Sequence, residues 1–105
     1  MHSLVAERSR QVKTVSNPPS QIQMYATPYC GDTRLARRVL DEMQIVYDFI
    51  DFRQDPAAAR FVEEINNGFR SSPTIIFPDG SVLVEPSERE LRARVGELQA
   101  AGYAV

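Results

Sequence analysis

From residue 20 onward the apolar positions keep two rhythms that alternate along the chain. Ile22 to Ala26 (IQMYA) is a short strand-like run. Gly31 to Met43 changes to helical spacing, with Leu35, Ala36, Val39, Leu40 and Met43 on one stripe. Arg34, Arg37 and Arg38 share another face of that helix and read as a solvated surface. Ile45 to Asp51 (IVYDFID) alternates and is rich in β-formers, so a second strand is expected there. Asp55-Pro56 then supplies an N-cap and a proline at the first helical position. The helix that follows should bury Ala58, Phe61, Val62 and Ile65 and close at Asn67-Gly68.

Beyond Gly68 the pattern changes. Pro73 to Phe77 and Ser81 to Glu85 are strand-like runs joined by Pro78-Asp79-Gly80, a hairpin signal. Ser87 to Glu90 has the S-x-x-E spacing of a capping box, and Leu91, Val95 and Leu98 mark one face of a last helix. The order is therefore β-α-β-α-β-β-α. Two strands joined by a crossover helix should pair in parallel, with the hairpin completing the sheet antiparallel. An α/β domain with a four-stranded mixed sheet flanked by helices is expected over residues 20–105.

The first 19 residues break both rhythms. They are basic and serine-rich and end on Asn17-Pro18-Pro19, so a flexible N-terminal extension is expected. They carry neither the continuous apolar stretch nor the small-residue cleavage site of a signal peptide. Lone His2 lies in this extension and suggests no metal or acid–base role. At 105 residues with a net charge of −2, the chain is one domain, and its charge balance calls for neither a nucleic-acid nor a membrane partner. Its single cysteine, Cys30, excludes an internal disulfide framework and points to reducing, cytoplasmic surroundings.

Cys30 lies in TPYCGDT (Thr27 to Thr33), between the first strand and the first helix. A sulfur at a helix N-terminus faces unpaired backbone N–H groups and the positive end of the helix dipole, which favour thiolate, the nucleophilic form. Asp32 in the first turn works against that. Gly31 is expected to let the chain turn closely under the sulfur, while Pro28 and Tyr29 hold the loop and Tyr29 offers an aromatic wall. An inert buried thiol is the alternative, and the position just ahead of a helix argues against it. On the residues alone Pro73 reads as an ordinary trans proline before a strand.

Three segments together carry a resemblance: the TPYC loop, GFRSSPT (Gly68 to Thr74) and the PDGSVL hairpin (Pro78 to Leu83). In order and spacing they resemble the glutaredoxin family over Ile22 to Leu98, most of all the mycoredoxins of actinobacterial type and the redoxins that serve ribonucleotide reductase. The resemblance implies a thioredoxin-like fold, thiol–disulfide exchange at Cys30, and Pro73 in the cis form facing that cysteine. Thr27, Pro28, Tyr29, Gly31, Thr33, Ser72 and Pro73 are the substrate-binding candidates that go with it. The implied co-substrate is a small thiol, glutathione or an analogue such as mycothiol or bacillithiol, with no required cofactor. The implied partners are that thiol and proteins carrying mixed disulfides, and a monomer is expected.

The chain departs from the family pattern in three places. Thr33 stands where a second cysteine would resolve a mixed disulfide, Ser72 where valine is commoner, and Ala26-Thr27 where a lysine helps to hold glutathione's carboxylate. One cysteine suffices for a monothiol cycle and excludes dithiol reduction of protein disulfides within one chain. Two other functions stay open at this level. Two chains with two small thiols could hold a [2Fe–2S] cluster through Cys30, although CGDT places an acid beside it where CGFS would not. The chain could also be a redox-silent interaction module.

Overall fold

The computed structural model describes residues 13–105. The first part of the expected extension, residues 1–12, lies outside the described residues. The elements are β1 (Lys13–Thr14), β2 (Ile22–Ala26), α1 (Gly31–Glu42), β3 (Tyr47–Asp51), α2 (Pro56–Ile65), β4 (Thr74–Ile76), β5 (Ser81–Val84) and α3 (Glu88–Ala100). A short 3-10 turn, Phe52–Gln54, leads from β3 towards α2. The strands lie in the order β1-β5-β4-β2-β3, with β2 and β3 parallel and the other pairs antiparallel. This is the expected β-α-β-α-β-β-α order with one strand added.

The expected four-stranded sheet therefore has five strands among the described residues. The fifth is β1, inside the stretch read as an extension, where Lys13 pairs with Val82 and Thr14 with Ser81. No periodicity announces a strand of two residues. It forms because β5 would otherwise leave an unpaired edge. Val15 continues the attachment, its N–H donating to the Gly80 carbonyl at 2.8 Å. Gly80 is required there twice over: its φ is +87°, and an added Cβ would stand 2.9 Å from the Val15 oxygen.

Side-chain alternation along β2 divides the core. Ile22, Met24 and Ala26 are fully buried on the face covered by α1 and α3, against Val39, Leu40, Leu91, Val95 and Phe77. Tyr25 points to the other face, where it joins Phe52, Ala58, Ala59 and Val62 beneath α2. Phe61 and Ile65, expected in the core, are only half-buried. Phe61 instead packs a tilted ring 5.1 Å from Tyr25. The strand expected from Ile45 begins at Tyr47. Gln44 sits at φ 59°, and the Ile45 N–H still closes α1 on the Leu40 carbonyl, so the ladder starts two residues later.

The solvated face expected for Arg34, Arg37 and Arg38 holds in part. Arg37 is half-buried, donating to the Tyr47 hydroxyl and stacking 4.2 Å from the Phe49 ring centroid. Arg38 joins Glu42 on its own helix to Glu88 on α3, and Arg92 closes the square by bonding both carboxylates. The Arg92 and then the Arg38 hydrogen bonds hold the Glu88 carboxyl below its ordinary value. A depressed carboxylate stabilises the fold above the unfolded-state value and loses that contribution as pH falls through the folded one. Exposed pairs are weak, so Glu88→Gln should lower the thermal midpoint slightly at neutral pH and low salt. A thermal melt series should show that difference vanishing in acid below the ordinary glutamate range, and at high salt.

Candidate functional site

Cys30 is the N-cap of α1, with extended backbone (φ −73°, ψ 137°), and it makes no side-chain cap hydrogen bond. The first-turn N–H groups of α1 are therefore left without a cap from Cys30. The sulfur is half-buried, and its thiol donates weakly to the Ser72 carbonyl at 3.6 Å. The Ser72–Pro73 peptide is cis, as the resemblance implied, and Pro73 is buried.

Ser72 is the hub of the site. Its Oγ accepts the Thr27 N–H at 2.9 Å and lies 2.9 Å from the Thr33 Oγ1. Thr33 is fully buried, so this contact satisfies a hydroxyl that water does not reach. Three segments distant in sequence are thus pinned together: the loop after β2, the first turn of α1, and the 71–73 loop before β4. Sequence reasoning found Ser72 through its backbone and missed its side chain. The available signal was that two departures from the family pattern, Thr33 and Ser72, each introduce a hydroxyl. They touch each other.

The remaining candidates fall around this hub. Tyr29 is 72 % exposed, and the Arg53 guanidinium lies 5.0 Å from its ring centroid. Arg53 is held in turn by Asp51, through Nε at 3.0 Å and Nη2 at 2.7 Å. That side-chain bond is the main reason the Asp51 carboxyl sits below its ordinary value. Arg53 was not legible as a site residue, because only the 3-10 turn after β3 returns it to the Cys30 loop. Pro28 and Thr27 are half-buried, and Thr27 enters the site by its backbone N–H. At Gly31 an added Cβ would meet nothing within 4 Å once its chain neighbours Cys30 and Asp32 are set aside. The surface at Gly31 is therefore open toward the rest of the fold.

Chemically, the arrangement presents one partly accessible sulfur at a helix N-terminus, beside a backbone carbonyl and an exposed aromatic ring. Among the described residues no group of three or more His, Cys, Asp or Glu side chains stands ready to hold a metal ion. None of the described helices is long and apolar enough to cross a membrane.

Known proteins share this arrangement of elements. Residues 22–83 match the family model described as Glutaredoxin. A Mycobacterium tuberculosis protein named "putative glutaredoxin" is 38% identical over 74 residues, 70% of this chain and 88% of that one. Mycoredoxin 1 of Corynebacterium glutamicum is 34% identical over 79 residues, 75% of this chain and 98% of that one. A crystal structure of a thioredoxin-like protein mutant superposes with a TM-score of 0.63 at 24% identity, covering 71% of this chain and 99% of that one. That last likeness shows the fold, which is thioredoxin-like.

Proposed function

The chain belongs to the glutaredoxin family, and from that premise we propose that it reduces mixed disulfides between proteins and a small thiol by a one-cysteine cycle at Cys30. Family membership brings thiol–disulfide oxidoreductase chemistry as the reaction class. The observation that carries the finer reading is the pairing of a lone, half-buried Cys30 with a buried hydroxyl, Thr33, three residues on. A hydroxyl cannot attack a disulfide sulfur, so nothing within the chain resolves the intermediate.

In the first step the Cys30 thiolate attacks the small-thiol sulfur of the mixed disulfide. The new S–S bond to Cys30 forms as the old one breaks, and the protein sulfur leaves as a thiolate that takes a proton from water. A second small thiolate then attacks the small-thiol sulfur held on Cys30. Cys30 returns as thiolate, and the small thiol leaves as its symmetric disulfide. One free small thiol is oxidised for each protein thiol released, since the other sulfur of the symmetric disulfide was already disulfide-bonded in the substrate.

The Ser72 carbonyl loses its thiol donor when Cys30 ionises and becomes free to accept an N–H from the substrate. An extended thiol peptide would pair with it in strand fashion. Thr27, Thr33 and Pro73 hold that carbonyl in place, while Pro28, Tyr29 and the space over Gly31 shape the wall for the small thiol. Glutathione, mycothiol and bacillithiol are the candidates, and the likeness to a protein named mycoredoxin 1 supports mycothiol.

The reading is tested by mixing the reduced protein with a model protein carrying each of these thiols as a mixed disulfide. Mass spectrometry should find one small-thiol adduct on Cys30 as the protein thiol appears, and added free thiol should clear it. Release of protein thiol without a Cys30 adduct at any time would overturn the cycle.

A further inference from the structure

A buried polar path runs from the outer edge of the sheet to the loop in front of Cys30. Lys13 Nζ donates to the Ile65 carbonyl at 2.9 Å and to Asn66 Oδ1 at 3.1 Å, at the C-terminal end of α2. A cation is favoured there by the helix dipole. Asn66 is only 5% exposed, and its Nδ2 donates to Thr74 Oγ1 at 3.0 Å. Thr74 is fully buried, and its hydroxyl donates to the Ser71 carbonyl at 2.9 Å. Ser71 precedes Ser72, whose carbonyl and hydroxyl meet Cys30, Thr33 and Thr27.

The direction of every bond in this path follows from its first member. An ammonium only donates, so Asn66 must turn its oxygen to Lys13 and its amide nitrogen to Thr74. Thr74 Oγ1 then accepts from Asn66, which leaves its hydroxyl proton for Ser71. Without the ammonium the Asn66 amide is free to flip. Thr74 would then donate to the Asn66 oxygen, and the Ser71 carbonyl would lose its donor.

We propose that Lys13 is a positioning residue for the exchange reaction: acting through Asn66 and Thr74, it fixes the Ser71 carbonyl and thereby the face of Ser72 offered to the substrate. This rests on Cys30 being the nucleophile of the cycle above. It also gives the two-residue strand β1 a role beyond covering an edge, because β1 is what delivers Lys13 to the end of α2.

The test uses the full chain with Lys13→Met, which keeps the stem and removes the charge. Turnover of the mixed disulfide should fall on the order of tenfold, since displacements of a fraction of an ångström at a reacting site carry costs of that size. Alkylation of Cys30 by iodoacetamide should change far less than turnover, because the small reagent reaches the sulfur without pairing to the Ser72 carbonyl. Amide exchange at residues 69–72 should quicken while β2 and β4 keep their protection. Lys13→Arg, which retains the donors, should restore turnover, whereas Asn66→Asp, which keeps a partner for Lys13 but cannot donate to Thr74, should resemble Lys13→Met. A lower thermal midpoint with parent turnover, or a parent-like Asn66→Asp, would overturn the proposal. If the parent itself shows no turnover, the cycle fails, and the exchange rates at 69–72 still decide the path.

Discussion

Cys30→Ser should leave the protein folded and reduce turnover of a protein–small-thiol mixed disulfide to the uncatalysed rate. The whole cycle passes through a sulfur–sulfur bond at this residue, and a serine oxygen neither ionises at neutral pH nor forms a stable bond to sulfur. No other thiol can take its place, because the sequence has one cysteine. The structural cost should be small. The sulfur makes a single weak bond, to the Ser72 carbonyl at 3.6 Å, and a serine hydroxyl can donate in the same direction. Circular dichroism and a thermal melt should therefore match the parent, while the assay of released protein thiol falls to background. Turnover retained by a folded Cys30→Ser protein would remove Cys30 from the mechanism.

The fold was legible where local pattern and tertiary need coincide. β2 and α2 run over the residues that a strand-like run and capping chemistry indicated, and the capping box at Ser87 and Glu90 forms in both directions. It was illegible where the deciding partner lies far along the chain. β1 exists because β5 offers an edge some 70 residues later. Tyr47 rather than Ile45 opens β3 because the end of α1 claims the Ile45 N–H.

The site divides in the same way. Cys30 was readable from its place ahead of a helix, and the 71–73 loop from the family pattern. The Thr27–Ser72–Thr33 contact joins residues 39 and 45 positions apart, and no local spacing encodes it. Lys13 stood in a stretch without rhythm. Its role follows from the 52 residues of chain that separate it from the Ile65 carbonyl it caps.

Thr33→Cys should convert the protein from a one-thiol to a two-thiol catalyst. Residues 30 and 33 occupy the N-cap and third position of α1, about one turn apart, where Cα separations suit a disulfide. Both side chains already converge on one residue: the Cys30 sulfur on the Ser72 carbonyl and the Thr33 hydroxyl on the Ser72 Oγ. The introduced thiol can therefore reach the Cys30 sulfur, attack a substrate held there and release it. Under mild oxidant the variant should lose two hydrogens by mass and show no free thiol. It should gain reduction of protein disulfides that the parent lacks, and its mixed-disulfide turnover should drop as the introduced thiol competes for the Cys30 adduct. Ser72 sets how cleanly this happens. Against a thiol, its hydroxyl keeps the Thr27 N–H but trades a good partner for a weak one, at roughly 1 kcal/mol. Ser72→Val alone should cost more, about 1–3 kcal/mol, because it strands the fully buried Thr33 hydroxyl. The double variant removes both hydroxyls and should be less destabilised than the two single changes summed, by about 1 kcal/mol in a chemical-denaturation cycle. A strictly additive cycle would mean that the Thr33–Ser72 contact does not hold the two loops together. An absent internal disulfide in oxidised Thr33→Cys would mean that the two side chains do not meet at Ser72.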